Sequence, residues 1–169
     1  KAHNLVERGR EMYSACLVKE DFLHQKKLLK KYSHKLVTLL EKCNQQMLEW
    51  KRECERYTVY ETIGPFIFSL MRLSAQLDEL FRQNGEFPER KEISEFYLNL
   101  RHFLNMYEIL DENYVIYTDF DQEQNFQLHL YCVNPANNLQ ERLDRGLAAV
   151  YFSATLLPVK YYKQLLSTR

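Results

Sequence analysis

Nine residues, Leu29, Tyr32, Leu36, Leu39, Cys43, Met47, Trp50, Cys54 and Tyr57, recur at steps of three and four, with no Gly or Pro between them. A stripe of that period covers one side of an α-helix and cannot line one face of a strand. Read as continuous from Glu20 to Tyr57, it predicts a single rod about 57 Å long. Such a rod outreaches the radius of an ordinary domain, so it predicts a second long helix packed along it as in a coiled coil.

The rest of the chain is divided by its few breakers, Gly 4 and Pro 4 in 169 residues, a scarcity that favours long helices over a many-turned β fold. Tyr13 to Val18 is an apolar-rich segment that suits either an extended or a helical conformation. Gly64-Pro65 restarts the chain into a helix marked by Phe66, Leu70, Leu73, Leu77, Leu80 and Phe81, with Asn84-Gly85 expected as a left-handed cap. A third helix opens after Pro88 and carries Ile93, Phe96, Tyr97, Leu100, Phe103, Leu104, Tyr107 and Leu110 to about Glu112. The period then alternates. Tyr114 to Thr118 and Phe126 to Val133 read as a hairpin around the polar turn Asp119 to Gln124. Asn134-Pro135 opens a short helix with Leu139 and Leu143 inward and Gly146 at its end. Leu147 to Phe152 is apolar on both faces, as in a buried parallel strand, and Pro158 starts a last helix over Val159 to Leu166.

Composition limits the functions open to the chain. Hydrophobic residues are 46% and charged residues 27%, a folded and not a disordered balance. Lys+Arg and Asp+Glu are 23 each, so affinity for a polyanion has to come from a local basic patch. No apolar run is long enough to span a bilayer, and the first residues lack a secretory core, which predicts a cytoplasmic protein. Cys16, Cys43, Cys54 and Cys132 form no C-x-x-C pair. Cys43 and Cys54, eleven residues apart on the predicted rod, would lie about 16 Å from each other. All four are expected to be reduced structural thiols. His24, His34, His102 and His129 show no metal-ligand spacing, so no metal site is expected.

The two ends carry the chemistry. Ala148 to Phe152 runs straight into Ser153-Ala154-Thr155-Leu156-Leu157-Pro158. A parallel strand that ends in two hydroxyls places short donors and acceptors where α/β sheets bind ligands. This segment resembles motif III, the S-A-T motif, of superfamily 2 helicases. Ala2-His3-Asn4-Leu5 resembles the end of motif II, the D-E-A-H box, as it continues in DinG/XPD-type DNA helicases. In that family a large helical insertion between these motifs forms an arch.

The resemblance implies a mainly α fold. Antiparallel long helices would form an arch with a small β hairpin and strand stubs of the host nucleotide-binding domain, and 1–6 and 147–169 would be the stubs of that host motor domain. It implies that 1–169 is one arch-type insertion and that His3, Ser153, Ala154 and Thr155 are remnants of the motor's coupling motifs. It also implies a bacterial parent that is an ATP-dependent 5′–3′ DNA helicase of repair or replication. The partners would be single-stranded DNA and the rest of the helicase chain, with no membrane. The parent would use ATP and magnesium. This fragment carries neither cofactor: Lys1 stands in the motif II glutamate position, and no phosphate-cradling loop is present. The family's 4Fe–4S cluster, in members that have one, is held by cysteines upstream of motif II, so none of the four here is its ligand.

Two basic faces are candidates for backbone contact. On the predicted rod, Lys27, Lys30, Lys31 and His34 fall opposite the stripe. On the third helix, Arg90, Lys91 and Arg101 form a second set. Each feature has a plainer reading: a solvated face for the lysines, a solvated terminal histidine for His3, strand-end polar residues for Ser153 and Thr155. A free-standing helical interaction protein, its stripes serving a partner coiled coil, explains the middle equally well. It leaves the two bracketing motifs unexplained.

Overall fold

The computed structural model describes residues 2–146 and 158–168, with side chains from Asn4 onward. The elements are α1 (Ala2–Met12), β1 (Ala15–Val18), α2 (Lys19–Leu29), α3 (His34–Glu53), β2 (Tyr57–Tyr60), α4 (Phe66–Gln83), α5 (Arg90–Glu108), β3 (Tyr114–Phe120), β4 (Phe126–Cys132), α6 (Ala136–Asp144) and α7 (Val159–Leu166). The protein is mainly helical, with one small antiparallel sheet. No helix among the described residues is long and apolar enough to cross a membrane.

The single rod is not formed. Tyr32 and Ser33 N–H groups both close on Leu29 O, at 2.9 and 3.1 Å, and end α2. Ser33 is extended, and its hydroxyl accepts from the Leu36 N–H at 3.2 Å, which caps α3. The break spans one step of three and one of four, so the apolar period runs through it unaltered. Folding back lets the two stripes bury each other. Ion pairs Lys26–Glu41 at 2.7 Å and Lys51–Glu20 at 3.0 Å fix α2 and α3 as antiparallel neighbours. Cys54 ends α3 in an extended conformation, and the Tyr-Thr-Val-Tyr run after it is rich in aromatic and β-branched residues and becomes β2.

Helices α2 to α5 contact one another in sequence, and α2 also meets α5, which closes an up-and-down ring of four. Phe22 stands edge-on to Phe96 at 5.4 Å, and Phe81 to Tyr97 at the same spacing. The expected left-handed cap at Asn84-Gly85 is absent. Asn84 is extended, and its side-chain amide donates to Leu80 O at 2.9 Å, which replaces the glycine cap.

The expected hairpin is the centre of a four-stranded sheet, order β1-β4-β3-β2, all antiparallel. Its inner face, with Leu17, Leu128, Leu130 and Ile116, joins the helical ring in one core. The hairpin turn is held by the Asp121 carboxylate, which accepts from the Glu123 and Asn125 N–H groups at 2.8 and 2.9 Å, with Gln124 at φ 65. The outer edge of β1 is covered by α5: Asn99 Nδ2 donates to Cys16 O at 3.0 Å, and His102 Nε2 donates to Ser14 O at 2.7 Å.

A second, smaller cluster joins α1, α6 and α7 through Val6, Tyr13, Cys132, Leu139 and Leu166. Gly9 permits it, since a Cβ there would lie 3.1 Å from Pro135 Cβ. Asn134 Oδ1 accepts from the Ala136 N–H at 3.0 Å and opens α6 as the sequence predicts, while Leu143 is only half-buried.

Candidate nucleic-acid interface

Two turns of chain meet at one end of the helical ring. The α2–α3 turn supplies Lys27, Lys30 and Lys31, and the α4–α5 loop supplies Glu89, Arg90 and Lys91. Glu89 joins them. Its carboxylate takes the Lys31 ammonium and accepts from the Tyr32 hydroxyl, whose ring packs on Phe87 at 4.9 Å. The hydrogen bonds from Lys31 and Tyr32 hold the Glu89 carboxyl below the usual carboxylate range and push the Lys31 ammonium up.

Six basic residues were predicted to contact DNA, and the structure divides them. Arg90 is a clasp: its Nη1 donates to Asn84 O at 3.0 Å and Gly85 O at 2.9 Å, and its guanidinium lies 4.9 Å from the Phe81 ring centre. Lys31 is held by Glu89. Lys27, Lys30 and Lys91 are exposed and make no ion pair among the described residues. Arg101 is exposed on α5 but lies eleven residues past Arg90, about 16 Å down the helix, and does not join this end. Lys35, in the first turn of α3, is exposed beside the turn and was missed. Its signal was available, because a Ser33 cap turns the next residues outward together with the end of α2.

A set of exposed ammonium groups on a rigid turn can track phosphates as point charges. It offers no bidentate geometry that would read a base edge. Of the acidic neighbours, Glu89 pairs with Lys31, Glu41 with Lys26 and Glu86 with Arg90, and the Glu92 carboxylate lies 2.8 Å from His24 Nε2. Lys27, Lys30, Lys35 and Lys91 make no ion pair among the described residues and outnumber Glu92, so these side chains together leave an excess of positive charge.

The predicted motif residues are not assembled by the described structure. His3 lies on α1 with its side chain outside the described set, and Ser153, Ala154, Thr155 and the predicted strand 147–152 lie outside the described residues. The helices that flank them do meet: Val6 of α1 and Leu166 of α7, each 3% exposed, share one apolar cluster with Leu5, Tyr162 and Leu165 against it.

All four cysteines are free thiols, and Cys43, Cys54 and Cys132 are buried. Burial pushes the Cys43 thiol up to about 12. Burial, reinforced by Asp119, Asp21 and Asp121, does the same to Cys16, up to about 12. A thiol so placed stays protonated and is a poor nucleophile and a poor ligand. Among the described residues no group of three or more His, Cys, Asp or Glu side chains is placed to hold a metal ion. No family model and no curated protein matches the chain.

Proposed function

We propose that this chain is the accessory arch of an ATP-dependent 5′–3′ DNA helicase of the DinG/XPD type, acting in repair or replication. It confines and contacts single-stranded DNA while the rest of the parent chain hydrolyses ATP. The observation that carries the reading is the pair of end motifs, Ala2-His3-Asn4-Leu5 and Ser153-Ala154-Thr155-Leu156-Leu157-Pro158, bracketing a helical body. An insertion has to leave and re-enter its host at neighbouring positions, and the cluster shared by α1 and α7 is what that requirement predicts. The turn that carries Lys27, Lys30 and Lys35 is tied through Lys31 and Glu89 to the N-terminal end of α5, where Lys91 also lies, whereas Met106 near the other end of α5 packs against the α1–α7 cluster. At such an end an arch would meet a strand passing beneath it. Contacts by these lysines would be to the backbone and independent of sequence. Motifs II and III belong to one nucleotide-binding domain, so the parent gene supplies the test. A phosphate loop upstream and arginine-bearing helicase motifs downstream support the reading, and their absence from both flanks overturns it.

A further inference from the structure

A groove of about 1110 Å³ runs between α4 and α5. Its floor belongs to the core, since Ile67, Ser74 and Leu104 are buried. Its α4 wall carries Phe68, Met71 and Ala75 at steps of three and four, with Phe68 62% and Met71 51% exposed. What α5 adds is charge. Arg101 and Glu108 are both exposed, and neither makes an ion pair among the described residues. They stand seven residues apart, about 10 Å along the helix, too far to pair with each other.

We propose that this face docks on the same face of a second copy of the chain, as a two-fold symmetric dimer. A two-fold axis lying in the contact plane and crossing both helices sets α5 antiparallel to its counterpart. Arg101 of each copy then meets Glu108 of the other, so one operation pairs all four charges. The centre of that exchange on α5 is at Leu104 and Asn105. On α4 the same level is Met71. The two helices run antiparallel with the Tyr97 hydroxyl 3.4 Å from Asp78 Oδ1, and Leu104 is seven residues after Tyr97 as Met71 is seven before Asp78. The axis that pairs the charges therefore also sets Met71 against Met71 of the other copy, and the Phe68 ring over the small Ala75. A two-fold contact requires opposite charges balanced about the level of the exposed apolar residues. A foreign helix places no such condition on Arg101 and Glu108, and that balance is what selects the second copy. The contact rests on neither the lysine-bearing turn nor the helicase reading.

Analytical ultracentrifugation over a concentration series from micromolar to submillimolar tests this. The wild-type chain is expected to dimerise reversibly. Arg101→Glu and Glu108→Arg are each expected to weaken the dimer at least about tenfold, because each replaces two opposite-charge meetings by two like-charge ones. An equimolar mixture of these two variants is expected to associate about as tightly as the wild type, since every pair across the mixed dimer again joins opposite charges. Only a contact between copies predicts that rescue. Met71→Glu is expected to remove association altogether. All three positions are exposed, so the thermal melts of the variants are expected to match that of the wild type at concentrations where it is monomeric. A wild-type chain that stays monomeric throughout, single charge variants that dimerise as the wild type does, a mixture no tighter than its components, or undiminished association in Met71→Glu each overturns the proposal.

Discussion

Val6 and Leu166, near opposite ends of the sequence, are each 3% exposed in one apolar cluster, so the first and last helices are packed together. This cluster is separate from the larger core of the helical ring and sheet. Leu166→Ala should therefore remove about 2–3 kcal/mol from the α1–α6–α7 unit through lost burial and the cavity left behind. Limited proteolysis of that variant is expected to release α7 first, with α2 to α5 still protected. Simultaneous loss of both units would mean that they unfold as one.

The α2–α3 break predicts a cap effect at one hydroxyl. Ser33→Ala loses the Oγ contact to the Leu36 N–H and should reduce stability by about 1 kcal/mol, read as a shift in urea midpoint without a change of slope. Were the two helices one rod, alanine at this position would stabilise it.

This break is also where the sequence misled most. The stripe from Leu29 to Tyr57 has helical period throughout, and a four-residue turn that keeps phase is invisible to periodicity. Ser33 ahead of the apolar residues Leu36 and Val37 was the available stop-and-start signal. The short edge strand β2 was hidden for a related reason, whereas an extended conformation was one of the two open readings for the segment that forms β1. Tyr57 and Cys54 fit the tail of the stripe, and only pairing with β3 makes Tyr57–Tyr60 a strand. By contrast β3, β4, α4, α6 and α7 were legible, because proline, glycine or a change of period marks each boundary. Of the predicted basic residues, Arg90 was misread because its partners are the carbonyls of Asn84 and Gly85. Backbone acceptors leave no trace in residue types.

Arg90 and Lys91 should accordingly separate in mutagenesis. Arg90→Ala removes two hydrogen bonds and the stacking on Phe81, and is expected to lower stability by about 1–3 kcal/mol. Lys91→Ala, at an exposed residue with no ion pair among the described residues, should stay within about 0.5 kcal/mol. Thermal or urea unfolding of the two variants side by side checks the assignment.

Alkaline pH should weaken the fold. Cys16 and Cys43 are raised from 9.0 to about 12 in the folded state. A thiol whose folded pKa is raised contributes stability that is complete below the unfolded value and lost as pH climbs toward the folded one. Stability is therefore expected to be level across neutral pH and to fall between about pH 9 and 12, with Cys43→Ser removing part of that slope. At pH 8 a thiol reagent should label Cys16 and Cys43 much more slowly in the native than in the urea-unfolded chain.

The account's central claim is that the lysine-bearing turn contacts the backbone of single-stranded DNA. Its most direct test is the salt dependence of binding to an oligo-dT strand, compared between the wild-type chain and the triple variant Lys27→Glu, Lys30→Glu, Lys35→Glu. Each phosphate contact on a single strand contributes about −0.7 to the slope of log affinity against log salt. The account predicts weak, sequence-independent binding by the wild type, and a triple variant with lower affinity and a slope shallower by about 2. Equal slopes for the two proteins, or no salt-dependent binding by either, would contradict it and leave the lysines as a solvated face.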